Sequence, residues 1–405
     1  MTPPGSSLAR LPATASFCRV LAALVVVAGL AGCGKKPPAA GADPAAPAAE
    51  TRASEWPMTR GGPQLQGRVP GPTLRKPVVE WTVHVESAIT SEAAVAEGVV
   101  VFGDIEGVIH AVDLATRRER WQVTTEDTVE ATPAIAGGRV FVGSHDGVFR
   151  ALDLRDGKLQ WELKGREKFP TGAALVDNPD GGGALLLING YDGVSHCLRA
   201  RDGTVVWRHE TPDPINGTPV VLAGGLVAFG GCDGAIHVLR LKDGTAVHSL
   251  KSDARIIRSL AAWEDTVFSV NYANQLLAAA VTADQPTWLY GEKAQFLTSP
   301  AVDEGLVYVG SHDKHLHAVD RLTGKLRWKF KTGGRVSSAP LVFDDAVVFG
   351  SSDGRLYAVA KRDGAELWRL DLGEKLEVAP AYAGGRIFIG GNDGTLFVIR
   401  ECAVP

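Results

Sequence analysis

The chain has 405 residues, with 42 Lys and Arg against 46 Asp and Glu, 47 Gly and 23 Pro. A net charge of −4 excludes the polycationic surface that binds nucleic acid without sequence preference. With 45% hydrophobic and 22% charged residues the chain is globular rather than disordered, and its glycine content calls for frequent turns between short strands.

Residues 1–20 carry Arg10 and Arg19 and no acid, and residues 21–32 (LAALVVVAGLAG) form an apolar run of 12. Spanning a bilayer takes about 20 residues, so this run reads as the apolar core of a signal peptide. Leu30-Ala31-Gly32-Cys33 resembles a bacterial lipobox. The resemblance implies cleavage before Cys33 and a diacylglyceryl group on its thiol; the alternative is an ordinary small-residue cleavage site. Each buried methylene adds about 0.8 kcal/mol, so several acyl chains anchor a protein stably without a spanning segment. No Asp follows Cys33, which in a double-membraned bacterium implies sorting to the outer membrane, on its periplasmic side or exposed at the surface. Residues 33–54 are rich in Pro and Ala and suit a semi-extended tether. The expected layout is a signal peptide over 1–32, a lipidated tether over 33–54 and a folded domain over 55–402. Beside Cys33 the mature chain keeps Cys197, Cys232 and Cys402, with no CxxC, and these read as small buried hydrophobes.

The tryptophans establish a repeat. Trp81, Trp121, Trp161, Trp207, Trp288, Trp328 and Trp368 are separated by 40, 40, 46, 81, 40 and 40 residues, and His248 stands where the 81-residue gap lacks a Trp. Self-similarity near 40 residues indicates a propeller or solenoid. Within residues 130–161, Gly137-Gly138, Asp146-Gly147 and Asp156-Gly157 separate four short runs rich in Val, Ile, Leu and Phe. Asp-Gly between such runs marks a hairpin, so each unit reads as a four-stranded antiparallel meander. Residues 376–401 supply three strands and no Trp strand, while residues 78–85 form a Trp strand without its three partners. Joining them gives an all-β, eight-bladed propeller closed by an N-terminal strand and expected to be monomeric.

These units resemble the quinoprotein-type propeller repeat, in which a strand, a turn such as Thr323-Gly324-Lys325 and the following Trp328 form a docking motif between blades. Residues 56–67 (WPMTRGGPQLQG) resemble the lead-in segment of secreted members. The dehydrogenases of that group hold a quinone between a Trp floor and a vicinal Cys–Cys disulfide, beside a calcium ion. This chain has no Cys-Cys dipeptide and no long insertions, so no quinone, no metal and no catalytic residues are expected, and a quinone-dependent dehydrogenase is the weakest of the readings. His110, His196, His237 and His317 share one repeat position in four blades and so cannot converge on one ion.

An anchored propeller of this kind resembles the BamB lipoproteins, accessories of the outer-membrane β-barrel assembly machine. The resemblance implies a non-catalytic scaffold for a protein partner in the envelope; the loop motifs that carry that family's binding residues have no match in this chain. The connectors between repeats carry Arg166, Lys168, Arg255, Arg258 and Arg335, a candidate partner face, because binding groups sit on loops held by a rigid scaffold. The alternative is capture of a small molecule or glycan at the channel mouth, near Glu92, Glu130, Asn216, Arg258 and Glu377. The first strands should line that channel through Glu92, Thr132, Gly172, Thr218, Ser259, Ser299, Ala339 and Ala379, a column of mostly small residues that lets eight strands approach one axis.

Overall fold

The computed structural model describes residues 54–403 except 292, 293 and 297, together with the backbone of Val25–Val27. Cys33 and nearly all of the expected signal peptide and tether lie outside the described residues. Eight antiparallel sheets form the blades of a propeller. Numbered along the chain, blades 1 to 7 cover residues 94–124, 134–164, 174–210, 220–251, 261–291, 301–331 and 341–371. Blade 8 takes three strands from 381–401 and its outer strand from Pro77–His84, which pairs with Thr395–Glu401 and ties the termini together. The backbone of Val25–Val27 pairs with the outer edge of that strand.

Position within the blade decides how each strand reads. Second and third strands such as Val99–Gly103 and Arg355–Ala360 are covered on both faces by neighbouring blades, so they are nearly continuous apolar runs. Outer strands such as Leu326–Lys331 have one face toward the next blade and one toward water, and there only alternate residues are covered.

The tryptophans sit on those outer strands and bridge to the next blade. The indole Nε1 of Trp121, Trp161, Trp207, Trp288 and Trp328 donates to the backbone carbonyl of Leu154, Ala200, Leu241, Arg321 and Lys361, at 2.7 to 3.2 Å. Trp368 donates to Leu74, which carries the pattern across the closure. The receiving turn needs a glycine: Gly244 has φ +69, and a Cβ there would lie 2.7 Å from the Trp207 ring. His248 replaces the indole for a local reason. The turn it faces has Asp284 at the glycine position, so a packed indole has no bare backbone to lie on. The smaller imidazole instead bonds the Ala283 carbonyl, 2.7 Å from Nε2.

The lead-in segment closes one end of the channel. Inner strands have an unpaired edge, and buried backbone N–H groups demand partners. Residues 56–67 supply them in blade order. Val95 pairs with Trp56; the N–H of Ile135 donates to the Pro57 carbonyl, that of Leu175 to the Met58 Sδ, and that of Val221 to Pro63. Ala262, Val302 and Val342 follow, donating to Gln64, Gln66 and Gly67. Twelve residues thus wind past seven inner strands as a strap, each strand meeting it three residues after its member of the small-residue column.

Candidate functional site: the connector face and the axial cavity

The loops that join one blade to the next are seated by a repeated apolar plug. Ile89, Val129, Phe169, Ile215, Ile256, Phe296, Val336 and Leu376 are all at most 2% exposed. Room for them comes from a glycine at the end of most second strands; a Cβ on Gly143 would lie 2.6 Å from Phe169, and one on Gly230 2.1 Å from Ile256. Fixing these eight positions fixes their neighbours. Glu130, Asn216 and Glu377 each follow a plug directly, Arg258 stands two after one, and Arg335 directly precedes one. All five line an axial cavity of about 630 Å³. The whole expected column, Glu92, Thr132, Gly172, Thr218, Ser259, Ser299, Ala339 and Ala379, lines it too.

Thr59 and Arg60 of the strap form the floor, and the opening lies among the connectors and the turns between second and third strands. The sequence groups Glu92 with the mouth; the structure places it at the floor, because the strap binds it there. Its Oε1 accepts from the Trp56 indole at 2.6 Å and from the Arg60 backbone N–H at 3.1 Å. Burial pushes the Glu92 carboxyl up to about 7, and the nearby Arg60 charge and these hydrogen bonds only partly offset that. The Arg60 guanidinium donates to the carbonyls of Ala339 and Pro340, which lead into blade 7, and its pKa is lowered by burial. Gly172 belongs in the column for a local reason, since a Cβ there would lie 2.0 Å from the Thr59 hydroxyl.

The two sets of candidate residues share one face. Arg258 and Arg335 belong to the cavity mouth, whereas Arg166, Lys168 and Arg255 are not part of the lining. Arg166 is partly neutralised by Asp192 at 3.7 Å and Glu210 at 3.9 Å, and the Lys168 ammonium lies 5.0 Å from the Tyr191 ring centroid. Arg255 is exposed. Glu130 pairs with His145 at 3.1 Å, and the Asn216 amide approaches the Cys232 sulfur at 3.4 Å. Sequence reasoning missed the opposite charge on this face: the connectors and turns over blades 8, 1 and 2 carry Glu86, Glu106, Glu126, Asp127 and Glu130. The face is therefore basic over blades 5 to 7 and acidic over blades 8 to 2.

Three of the third-strand histidines pair with an aspartate of their own turn, six residues earlier for His110 and four for His237 and His317. His110 meets Asp104 at 3.1 Å, His237 meets Asp233 at 2.8 Å and His317 meets Asp313 at 3.1 Å. Blades without that histidine use Arg150 with Asp146 and Tyr357 with Asp353, both at 2.7 Å. The shared job is to hold the turn, not to converge on an ion.

The lining does not fit a planar quinone. Among the described residues His312 is the cavity's one aromatic ring, so no indole or phenyl face is offered for stacking. No helix among the described residues is long and apolar enough to cross a membrane.

A family model described as outer membrane protein assembly factor BamB matches residues 78–186, 191–299 and 278–401. The chain belongs to this family. Among solved structures it is similar to BamB from Moraxella catarrhalis, with a TM-score of 0.67 and 18% identity over 80% of this chain and 99% of that one. It is also similar to a europium-containing methanol dehydrogenase, with a TM-score of 0.72 and 14% identity over 86% and 98% of the two chains. A quinohemoprotein alcohol dehydrogenase from Comamonas testosteroni gives 0.71 and 14%, over 87% and 82%. At these identities the likeness is one of fold. No curated protein matches the chain.

Proposed function

We propose that this protein is a non-catalytic scaffold, lipid-anchored through Cys33 at the outer membrane, that presents its connector face to a protein of the β-barrel assembly machinery. The observation that carries the reading is the BamB family match from residue 78 to 401. Supporting it, the connectors are held rigidly by buried plugs, and a face carrying both signs of charge selects a complementary partner and orients its approach. The cavity's lack of an aromatic stacking face supports the non-catalytic part of the reading over the dehydrogenase chemistry of the similar folds.

The test is affinity recovery of a tagged copy from envelopes extracted in mild detergent after short-range crosslinking. Enrichment of the central barrel-assembly protein is expected. Its absence, with the bait lipidated and folded, contradicts the proposal. A second arm adds quinone and calcium to the pure protein with an alcohol or aldose; reduction of an electron-acceptor dye would contradict the non-catalytic reading.

A further inference from the structure

The axial cavity has the makings of a ligand site independent of any protein partner. It is blind, closed by the strap at the Thr59 and Arg60 floor and open toward the connectors, and its volume of about 630 Å³ falls within the range of small-molecule pockets, roughly 300 to 1,000 Å³. Close approach of eight inner strands to one axis needs only small side chains, and Ala or Gly would suffice, as at Gly172, Ala339 and Ala379. Instead Thr132, Thr218, Ser259 and Ser299 stand in four of the eight column positions, and Ser337 adds a further hydroxyl. A hydroxyl both donates and accepts, so this wall suits a polar ligand.

The charges at the mouth narrow the chemistry. Arg258, His312, Arg335 and Glu377 come from the segments leading into blades 5, 7 and 8 and from the turn of blade 6, and all four line the cavity. They form one electrostatic group: burial, then Arg335, lowers the His312 pKa, Glu377 opposes this and Arg258 adds to it. His312 is therefore neutral near pH 7 and can donate from one ring nitrogen and accept at the other. The Glu377 carboxylate is held by neutral donors, the Ser352 hydroxyl at 3.2 Å and the Asn392 amide at 3.0 Å, which leaves its charge available to a cation. The Arg335 guanidinium and the Glu377 carboxylate, both on the cavity lining, match a ligand that carries an anion and a cation a few bonds apart. Arginine is the side chain best suited to grip a carboxylate. The missing aromatic face argues against a sugar ring or a conjugated heterocycle as the occupant.

We propose that the axial cavity binds a small polar zwitterion of the α-amino acid class, with its carboxylate toward Arg335, its ammonium toward Glu377, and its side chain in the hydroxyl-lined shaft. Binding at this mouth would place the ligand on the face proposed for the protein partner, but the site is complete within one chain.

The experiment is calorimetric titration and thermal melting of the purified mature protein, without partners, against glycine, serine, glutamine, glutamate and lysine. Acetate, ethylamine and glucose are the controls. At least one amino acid is expected to bind and raise the melting temperature, with the controls inert. Arg335→Gln and Glu377→Gln should each weaken that binding about tenfold, the loss expected of one charge-assisted contact. Both side chains are exposed, so the ligand-free melting temperature should hold and separate lost binding from lost folding. No response to any amino acid, a response to acetate equal to that of the amino acids, or binding unchanged in both variants would each overturn the proposal. Failure of the scaffold reading would leave these results untouched.

Discussion

Glu92 gives the strap a pH dependence that can be measured. Its carboxyl is buried, 6% exposed, and carries an ionisation midpoint of about 7 in place of 4.5. Burial is the main cause, since an ion in a dry site loses its hydration. For an acid whose folded pKa lies above the unfolded one, folding takes up a proton as pH falls. Stability from this group is therefore greatest below pH 4.5 and declines as pH rises to about 7. At about 1.4 kcal/mol per pH unit, the gap amounts to about 3 kcal/mol. The perturbation is Glu92→Gln, which keeps an acceptor for the Trp56 indole but removes the titration. Other groups also titrate here: His110 has a raised pKa through Asp104 and Glu119 despite its burial, and His196 has a lowered one through burial. Those contributions are common to both proteins and cancel in the difference. The assay is urea unfolding of wild type and variant at several values between pH 4 and pH 8. Relative to wild type, the variant should gain about 3 kcal/mol across that interval. A difference that stays flat with pH, or a relative loss, would refute the assignment of a buried, strap-bound carboxyl.

Three further outcomes follow from the blade contacts. Trp207→Ala should cost about 3–5 kcal/mol in denaturant unfolding, through the lost indole packing and the bond to Leu241; Gly244→Ala should also destabilise, because φ +69 and the Trp207 ring leave no room for a Cβ. His248→Trp alone should lower the melting temperature, whereas pairing it with Asp284→Gly should restore or exceed the wild-type value. In hydrogen exchange, the amides of Ile135, Val221, Ala262, Val302 and Val342 should be as protected as those of the central strands, and a chain starting at residue 68 should lose that protection.

The blades were legible in the sequence because each makes the same side-chain demands. An indole needs a facing glycine turn, a hairpin needs Asp-Gly, and the strand missing at one end of the chain is present at the other. Where a demand is met by backbone, the signal vanishes. Residues 56–67 carry no strand periodicity, since most of their bonds to the inner strands use main-chain carbonyls that any residue supplies. Glu92 stood out as the charged member of a small-residue column, but its place at the floor depends on Trp56 and Arg60, whose path the sequence does not reveal. The Asp-to-His spacing of four was visible at Asp233–His237 and Asp313–His317; packing alone did not suggest that it formed pairs. The acidic arc escaped notice because its residues are ordinary loop carboxylates, and their shared side is a property of the closed ring.

The central claim is that the connector face carries the partner. Single photo-crosslinking residues at Arg166, Arg255, Arg335 and Glu126 on that face, and at Arg155, Lys242 and Arg362 between third and outer strands on the opposite one, compare the two directly in intact envelopes. The account predicts adducts to a barrel-assembly protein from the connector positions and none from the others. Adducts from the opposite face alone, or to no barrel-assembly protein from any position, would contradict it.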